Sequence, residues 1–135
     1  MVRPARDSDR GYVIDTWLQT YRYSPLATQL PDWAYWSDFG HVGLVEALVS
    51  TVPIRVACLP DDENFIYAWI AADRWLHYVF VRKDFREQGF ARVLMEAAGH
   101  GGGPLRLTHM TPEFSKRLGR NRPVEFTNPY RGEKR

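Results

Sequence analysis

A single cysteine, Cys58, stands in 135 residues, so no disulfide can form within the chain. The fold must hold by packing, and a reducing compartment, the cytoplasm by default, is the expected location. Cys58 itself sits in the apolar run IRVACLP and reads as a small core residue rather than a nucleophile. No apolar run approaches the roughly 18 residues of a membrane-spanning helix. The opening MVRPARDSDR lacks the apolar stretch of a secretion signal. An excess of one charge is lacking too: 18 Lys and Arg face 16 Asp and Glu, for a formal charge of +2. That balance argues against a general nucleic-acid binder, which concentrates a basic field. One basic cluster occurs late, in Lys116, Arg117, Arg120, Arg122, Arg131, Lys134 and Arg135. It reads as a solvated face and tail, with an anionic partner as the alternative.

What is present suits a single packed domain. Apolar and aromatic residues make up 44% of the chain, enough for a core, and the length is that of one domain, expected over residues 1–130 with a disordered tail at 131–135. Residues 2–6 read as a short edge strand limited by Pro4. Asp7 or Ser8 caps a helix whose apolar positions, Tyr12, Val13, Trp17, Leu18 and Tyr21, recur at helical spacing. After a loop with two prolines, residues 33–51 read as a second helical region. Trp36, Phe39, Gly40, Leu44, Ala47 and Leu48 lie along one side, and Gly40 and Gly43 are placed to break it. Residues 54–59, 65–72 and 75–82 are then three strands joined by short turns, hence antiparallel. A helix over 90–99 ends at GHGGGP, a strand follows at 105–110, a short helix at 111–120 and a last strand within PVEFTNPY. The fold class is α+β, a mainly antiparallel central sheet with one splayed parallel strand pair, flanked by helices.

The densest chemistry lies in YVFVRKDFREQGFARVLMEAAG. A strand runs into a turn with a bare backbone at Gly89, and a helix starts at once. A helix start carries unpaired N–H groups and the positive end of the dipole. Glu87, Gln88, Gly89, Phe90, Ala91 and Arg92 can turn several amides toward one anionic group, with Arg86 and Arg92 adding charge. The glycine spacing is that of neither a P-loop nor a dinucleotide fingerprint. The alternative is a helix start with close packing at Gly89.

This stretch resembles the acyl-coenzyme A motif of the GNAT superfamily of N-acetyltransferases, in which an apolar strand leads into Arg-x-x-Gly-x-Gly/Ala and a helix. Arg86, Gly89 and Ala91 stand at the defining positions, Phe85 at the bulky position before them, and Val79 and Val81 at the apolar strand positions. The resemblance covers about 22 residues by motif and nearly the whole chain by element order. It implies acetyl-coenzyme A as co-substrate, an amine acceptor, and a gap where the strands at 75–82 and 105–110 part. The diphosphate would sit on the amides near Gly89. The pantetheine arm would pair with the backbone of Val79, Phe80 and Val81. Homodimers are common in the family.

Acyl transfer to an amine needs a base and, for the thiolate, an acid. His77, Tyr78 and His109 are the candidates by type and place, each weighed against a structural role as a satisfied strand or core residue. Many family members place a Tyr acid in the helix after the fifth strand, where this chain has Phe114. Many carry a Glu base on the motif strand, which here has none; Glu63 and Asp73 lie in the neighbouring turns. Two functions follow: an acetyl-coenzyme A-dependent N-acetyltransferase, or a module that keeps the shape and the coenzyme without efficient catalysis. The aromatics Trp17, Tyr21, Tyr23, Trp33, Tyr35, Trp36 and Phe39 are expected mostly in the core, with a minority lining an acceptor pocket.

Overall fold

The structure, a computed structural model, describes residues 1–24, 27–109 and 124–126. Over these the order is β1 (Val2–Pro4), α1 (Arg10–Tyr21), α2 (Asp32–Tyr35), α3 (His41–Thr51), β2 (Ile54–Leu59), β3 (Asp62–Ala72), β4 (Leu76–Val81), α4 (Phe90–Ala97), β5 (Leu105–Leu107) and β6 (Val124–Phe126). Short 3-10 turns at Asp7–Asp9, Ala27–Gln29 and Lys83–Phe85 link them. All six strands form one sheet in chain order. The pairings from β1 to β4 are antiparallel, and β4–β5 is the expected parallel pair. β6 adds a second parallel pairing on β5. The expected helix at 111–120, the basic cluster, Phe114 and the tail at 131–135 lie outside the described residues.

Local chemistry accounts for most of the boundaries. Asp9, rather than Asp7 or Ser8, stabilises the first helical turn, accepting from the Arg6 amide (2.7 Å) and from Arg3 Nη1 (2.7 Å). Burial pushes the Asp9 carboxyl up, but the bonds from Arg3 and Arg6 outweigh it and hold the group below its ordinary value. The 60–64 segment is not all turn. The chain reverses over two residues and pairs Leu59 with Asp62, so β3 starts three residues before Phe65. Pairing across the hairpin overrides the poor strand propensity of Asp, Glu and Asn.

The second helical region breaks between α2 and α3 at Gly40, whereas Gly43, also placed to break it, lies within α3. A Cβ on Gly40 would lie 1.6 Å from the Ala34 carbonyl oxygen, so only glycine fits the crossing. That break resets the helical phase. The buried positions of α3 are His41, Val45 and Val49, while Ala47 is exposed and Leu44 and Leu48 only half-buried. The face drawn through Trp36 and Phe39 therefore does not continue into α3.

α1 supplies the centre of the core as its spacing implies. Val13, Trp17, Leu18 and Tyr21 are buried, and Trp17 packs against Trp69 of β3 and Tyr78 of β4 with ring centres 5.5 and 5.4 Å apart. On the other side, α4 packs on β2, β3 and β4, burying Leu94 and Met95. It stops at Ala97, with the His100 amide bonded to the Met95 carbonyl (2.7 Å) and that of Gly99 to Glu96 (3.1 Å), the closure expected of GHGGGP. Cys58 is fully buried, as expected of a core residue.

Candidate functional site

The site begins with a defect in strand pairing. Between Ala71 and Ala72 on β3, the register on β4 steps from Tyr78 to Leu76. His77 is thus the extra residue of a β-bulge, a feature that bends a strand and ends regular pairing. On the opposite edge β4 meets β5 at one register pair, Leu76 with Leu107, closed by the Thr108 amide donating to the Leu76 carbonyl (3.2 Å). β4 then runs on through Val79, Phe80 and Val81 without a partner strand on that edge among the described residues. The Arg82 amide donates to Tyr67 of β3 (2.8 Å). By antiparallel alternation Phe80 also bonds toward β3, and the backbone groups of Val79 and Val81 face the open edge. Arg86 Nε donates to the Val81 carbonyl there (3.0 Å).

The open edge leads to the start of α4. Phe85, stacked on Tyr67 (4.8 Å) and close to Phe90 (6.2 Å), anchors the turn. Past it the backbone takes positive φ at Glu87 (66°) and Gly89 (83°). Arg86, Glu87, Gln88, Gly89 and Arg92 are exposed, and Phe90 and Ala91 are half-buried. A Cβ on Gly89 would meet nothing within 4 Å. Close packing therefore does not explain this glycine; its positive φ does, and the space above it is open. The first α4 bond runs from Val93 to Gly89 (3.1 Å), and among the described residues the amides of 88–92 reach no backbone carbonyl. These amides are left free at the positive end of the α4 dipole.

The candidate proton carriers are all buried. His77 Nε2 lies 3.0 Å from Asp73 Oδ1, and its Nδ1 lies 2.8 Å from Thr108 Oγ1. Tyr78 shares a 2.8 Å hydroxyl–hydroxyl bond with Thr20 of α1. His109 is wholly enclosed, its Nδ1 3.1 Å from Thr108 Oγ1. It stands among Trp17, Tyr21, His41 and Tyr78, with ring centres 4.6 to 6.3 Å away. Burial, then the neighbouring His41 and His77, hold the His109 imidazole well below its ordinary value. Burial likewise lowers His41 to about 4. Asp73 reaches His77, whereas Glu63 is committed to Arg6 (2.6 Å) at the start of β3. Sequence reasoning missed Thr108 and His41. Thr108 adjoins His109, and only the β4–β5 register sets it against His77.

The aromatics divide differently from expectation. Trp17, Tyr21 and Tyr35 are buried, while Tyr23, Trp33, Trp36 and Phe39 are exposed. The α2 helix is a single turn and cannot shield both sides of itself. An open pocket there is lined by Arg22, Tyr23, Thr28, Asp32 and Trp36. Arg22 spans it, donating to Asp32 Oδ1 (2.8 Å). A series of rings, Trp36 on Tyr35, then His41, then His109, runs from this pocket to the end of β5.

No family model matches the chain, and no curated protein does. Solved structures do. A GCN5-related N-acetyltransferase from Rhodopseudomonas palustris superposes with TM-score 0.60 at 14% identity, over 90% of this chain and 79% of that one. A possible acetyltransferase from Clostridium difficile 630 gives 0.58 at 15%, over 90% and 86%. Apo-form YjaB from Escherichia coli gives 0.54 at 19%, over 73% of this chain and 63% of that one, so the chain spans less than two thirds of YjaB. The fold is that of the GCN5-related N-acetyltransferases.

Proposed function

We propose that the chain is an N-acyltransferase that moves an acetyl group from acetyl-coenzyme A to a primary amine. One observation carries this reading: the open edge of β4 at Val79 and Val81 runs directly to the exposed amide cradle before α4. An extended pantetheine arm pairs as a strand along that edge, through Val79 and Val81 with Phe80 between them. The diphosphate then falls on the amides of Gln88, Gly89, Phe90, Ala91 and Arg92, at the positive end of the helix dipole. Arg86 and Arg92 supply charge. The bulge at His77 marks the apex of the gap, where the thioester belongs, and a cytoplasmic location is part of the reading. A second reading is favoured by the enclosure of His77, Tyr78 and His109: a protein that binds the coenzyme as an interaction module and transfers slowly or not at all.

Acetyl-coenzyme A raises the melting temperature if the cradle works. A ligand at 100 times its Kd adds about 2.7 kcal/mol when it binds only the folded state. Pantetheine, which lacks the diphosphate, gives a much smaller rise. Gly89→Asp places a carboxylate against the diphosphate and weakens binding at least about tenfold, on the order of 1.4 kcal/mol. The same change costs about 1 kcal/mol in the unliganded protein, because a side chain must adopt φ of 83°. An equal thermal shift in the variant places the coenzyme elsewhere. Thiol release across a panel of amines then separates the two readings: turnover for a transferase, background rate for a module.

A further inference from the structure

Four side chains form one continuous hydrogen-bonded line across the apex of the gap. Asp73 Oδ1 meets His77 Nε2 at 3.0 Å, His77 Nδ1 meets Thr108 Oγ1 at 2.8 Å, and Thr108 Oγ1 meets His109 Nδ1 at 3.1 Å. With Asp73 ionised and His77 neutral, the partners fix every proton. Asp73, as a carboxylate, only accepts, so His77 carries its proton on Nε2. The bare His77 Nδ1 then takes the single proton of the Thr108 hydroxyl. With that proton spent, Thr108 can only accept from His109, which must carry its proton on Nδ1. The line therefore ends in a bare lone pair at His109 Nε2, which is buried and has no hydrogen-bond partner among the described residues.

The two ends differ in the way a conduit needs. Asp73 sits in the β3–β4 turn with its side chain 20% exposed, so its end reaches water. The turn holds it in place: the Trp75 amide also donates to Oδ1 (2.9 Å), and His100 Nε2 lies 2.9 Å from the Asp73 carbonyl. His109 follows the last paired residue of β5 by two positions, where β4 and β5 part. Beside it Trp17 Nε1, a donor, is also buried without a partner among the described residues.

We propose that Asp73, His77, Thr108 and His109 are a proton relay serving acyl transfer, with His109 Nε2 as the group that exchanges the proton with the reactants. This rests on the acyltransferase reading above. As the amine nitrogen bonds to the thioester carbon, its proton passes to His109 Nε2. The Nδ1 proton of His109 moves to Thr108, that of Thr108 to His77 Nδ1, and that of His77 Nε2 to Asp73. As the carbon–sulfur bond breaks, the line runs backward: His109 Nε2 gives a proton to the departing thiolate, and Asp73 returns to a carboxylate. One proton has gone from nitrogen to sulfur, and every relay group is restored. No ring becomes a cation at any stage, which suits a wholly enclosed imidazole, because a buried charge without a partner is what such a place penalises most. His109 is thus base and acid in turn, while His77, Thr108 and Asp73 position and relay.

Nitrogen-15 spectra of histidine-labelled protein at pH 7 read the tautomers directly. The relay requires Nε2–H on His77 and Nδ1–H on His109. Thr108→Val keeps the shape but breaks the line, and the variant loses the Nδ1–H form of His109, whereas Thr108→Ser retains it. With acetyl-coenzyme A and the best amine of the panel, Thr108→Val lowers kcat about 100-fold, leaves the KM for acetyl-coenzyme A within about twofold and abolishes the solvent isotope effect; Thr108→Ser restores all three. An Nε2–H tautomer on His109 in the unaltered protein overturns the relay. So does a Thr108→Val kcat within about twofold of the parent, or a parent that binds acetyl-coenzyme A but transfers to no amine. Failure to bind acetyl-coenzyme A at all instead removes the acyltransferase reading, and the tautomers still show whether the line exists.

Discussion

Between pH 7 and pH 4 the protein loses about 3 kcal/mol of stability from His41 alone, and more from His109. His41 is fully enclosed, stacked between Tyr21 and Tyr35 with ring centres 5.0 and 4.9 Å away, and burial lowers it to about 4. In the unfolded chain the same group titrates near 6.5. The folded state therefore binds protons less readily, and the stability due to this group is present above pH 6.5 and lost as pH falls toward 4. The gap between about 4 in the folded protein and 6.5 in the unfolded chain sets the size, at about 1.36 kcal/mol for each tenfold change in proton affinity. His109 is shifted in the same direction by the same cause, so it steepens the loss. Asp9, held below its ordinary value, acts in a lower window, below about pH 4. Small domains hold only about 5–15 kcal/mol, so this loss is a large share of the total before most carboxylates protonate. Urea unfolding at pH 7, 6, 5 and 4 measures it, and His41→Phe should flatten the curve. A stability constant over that range would mean that these rings are open to water.

Trp17→Ala is expected to lower stability by about 3–5 kcal/mol, the range for removing a large buried aromatic. Trp17 is fully buried where α1 meets β3, β4 and the end of β5. It lies parallel to Tyr78 and tilted on Trp69, and it meets the edge of His109 at 5.1 Å. Alanine leaves a cavity lined by rings on several elements, none of which can move in without opening the sheet. Denaturant midpoints with an unchanged slope give the number. A loss below about 1 kcal/mol would show that the site collapses and that the stack is looser than its geometry.

The sequence was most legible where one periodicity or one turn signal decided the outcome. The α1 face reads directly from Val13, Trp17, Leu18 and Tyr21, and the meander of β2, β3 and β4 from short turns between apolar runs. Phase was lost across the Gly40 break, where sequence spacing no longer measures angle. The fate of Tyr23, Trp33, Trp36 and Phe39 was illegible for a related reason: composition does not tell a one-turn helix from a packed one. Of the candidate site, the exposed turn at Gly89 and the helix start after it were visible, because a glycine before an apolar helical run leaves a local signature. The relay was not. Asp73, His77 and Thr108 are joined by a bulge and by the parallel register of Leu76 with Leu107, and neither follows from nearest neighbours in the chain.

The most direct measurement is a backbone amide titration of nitrogen-15-labelled protein with acetyl-coenzyme A. Saturable shifts at Val79, Val81 and the amides of 88–92, with little movement in β1 and β2, are the predicted result. Saturable binding that leaves those amides still while others move would contradict the account.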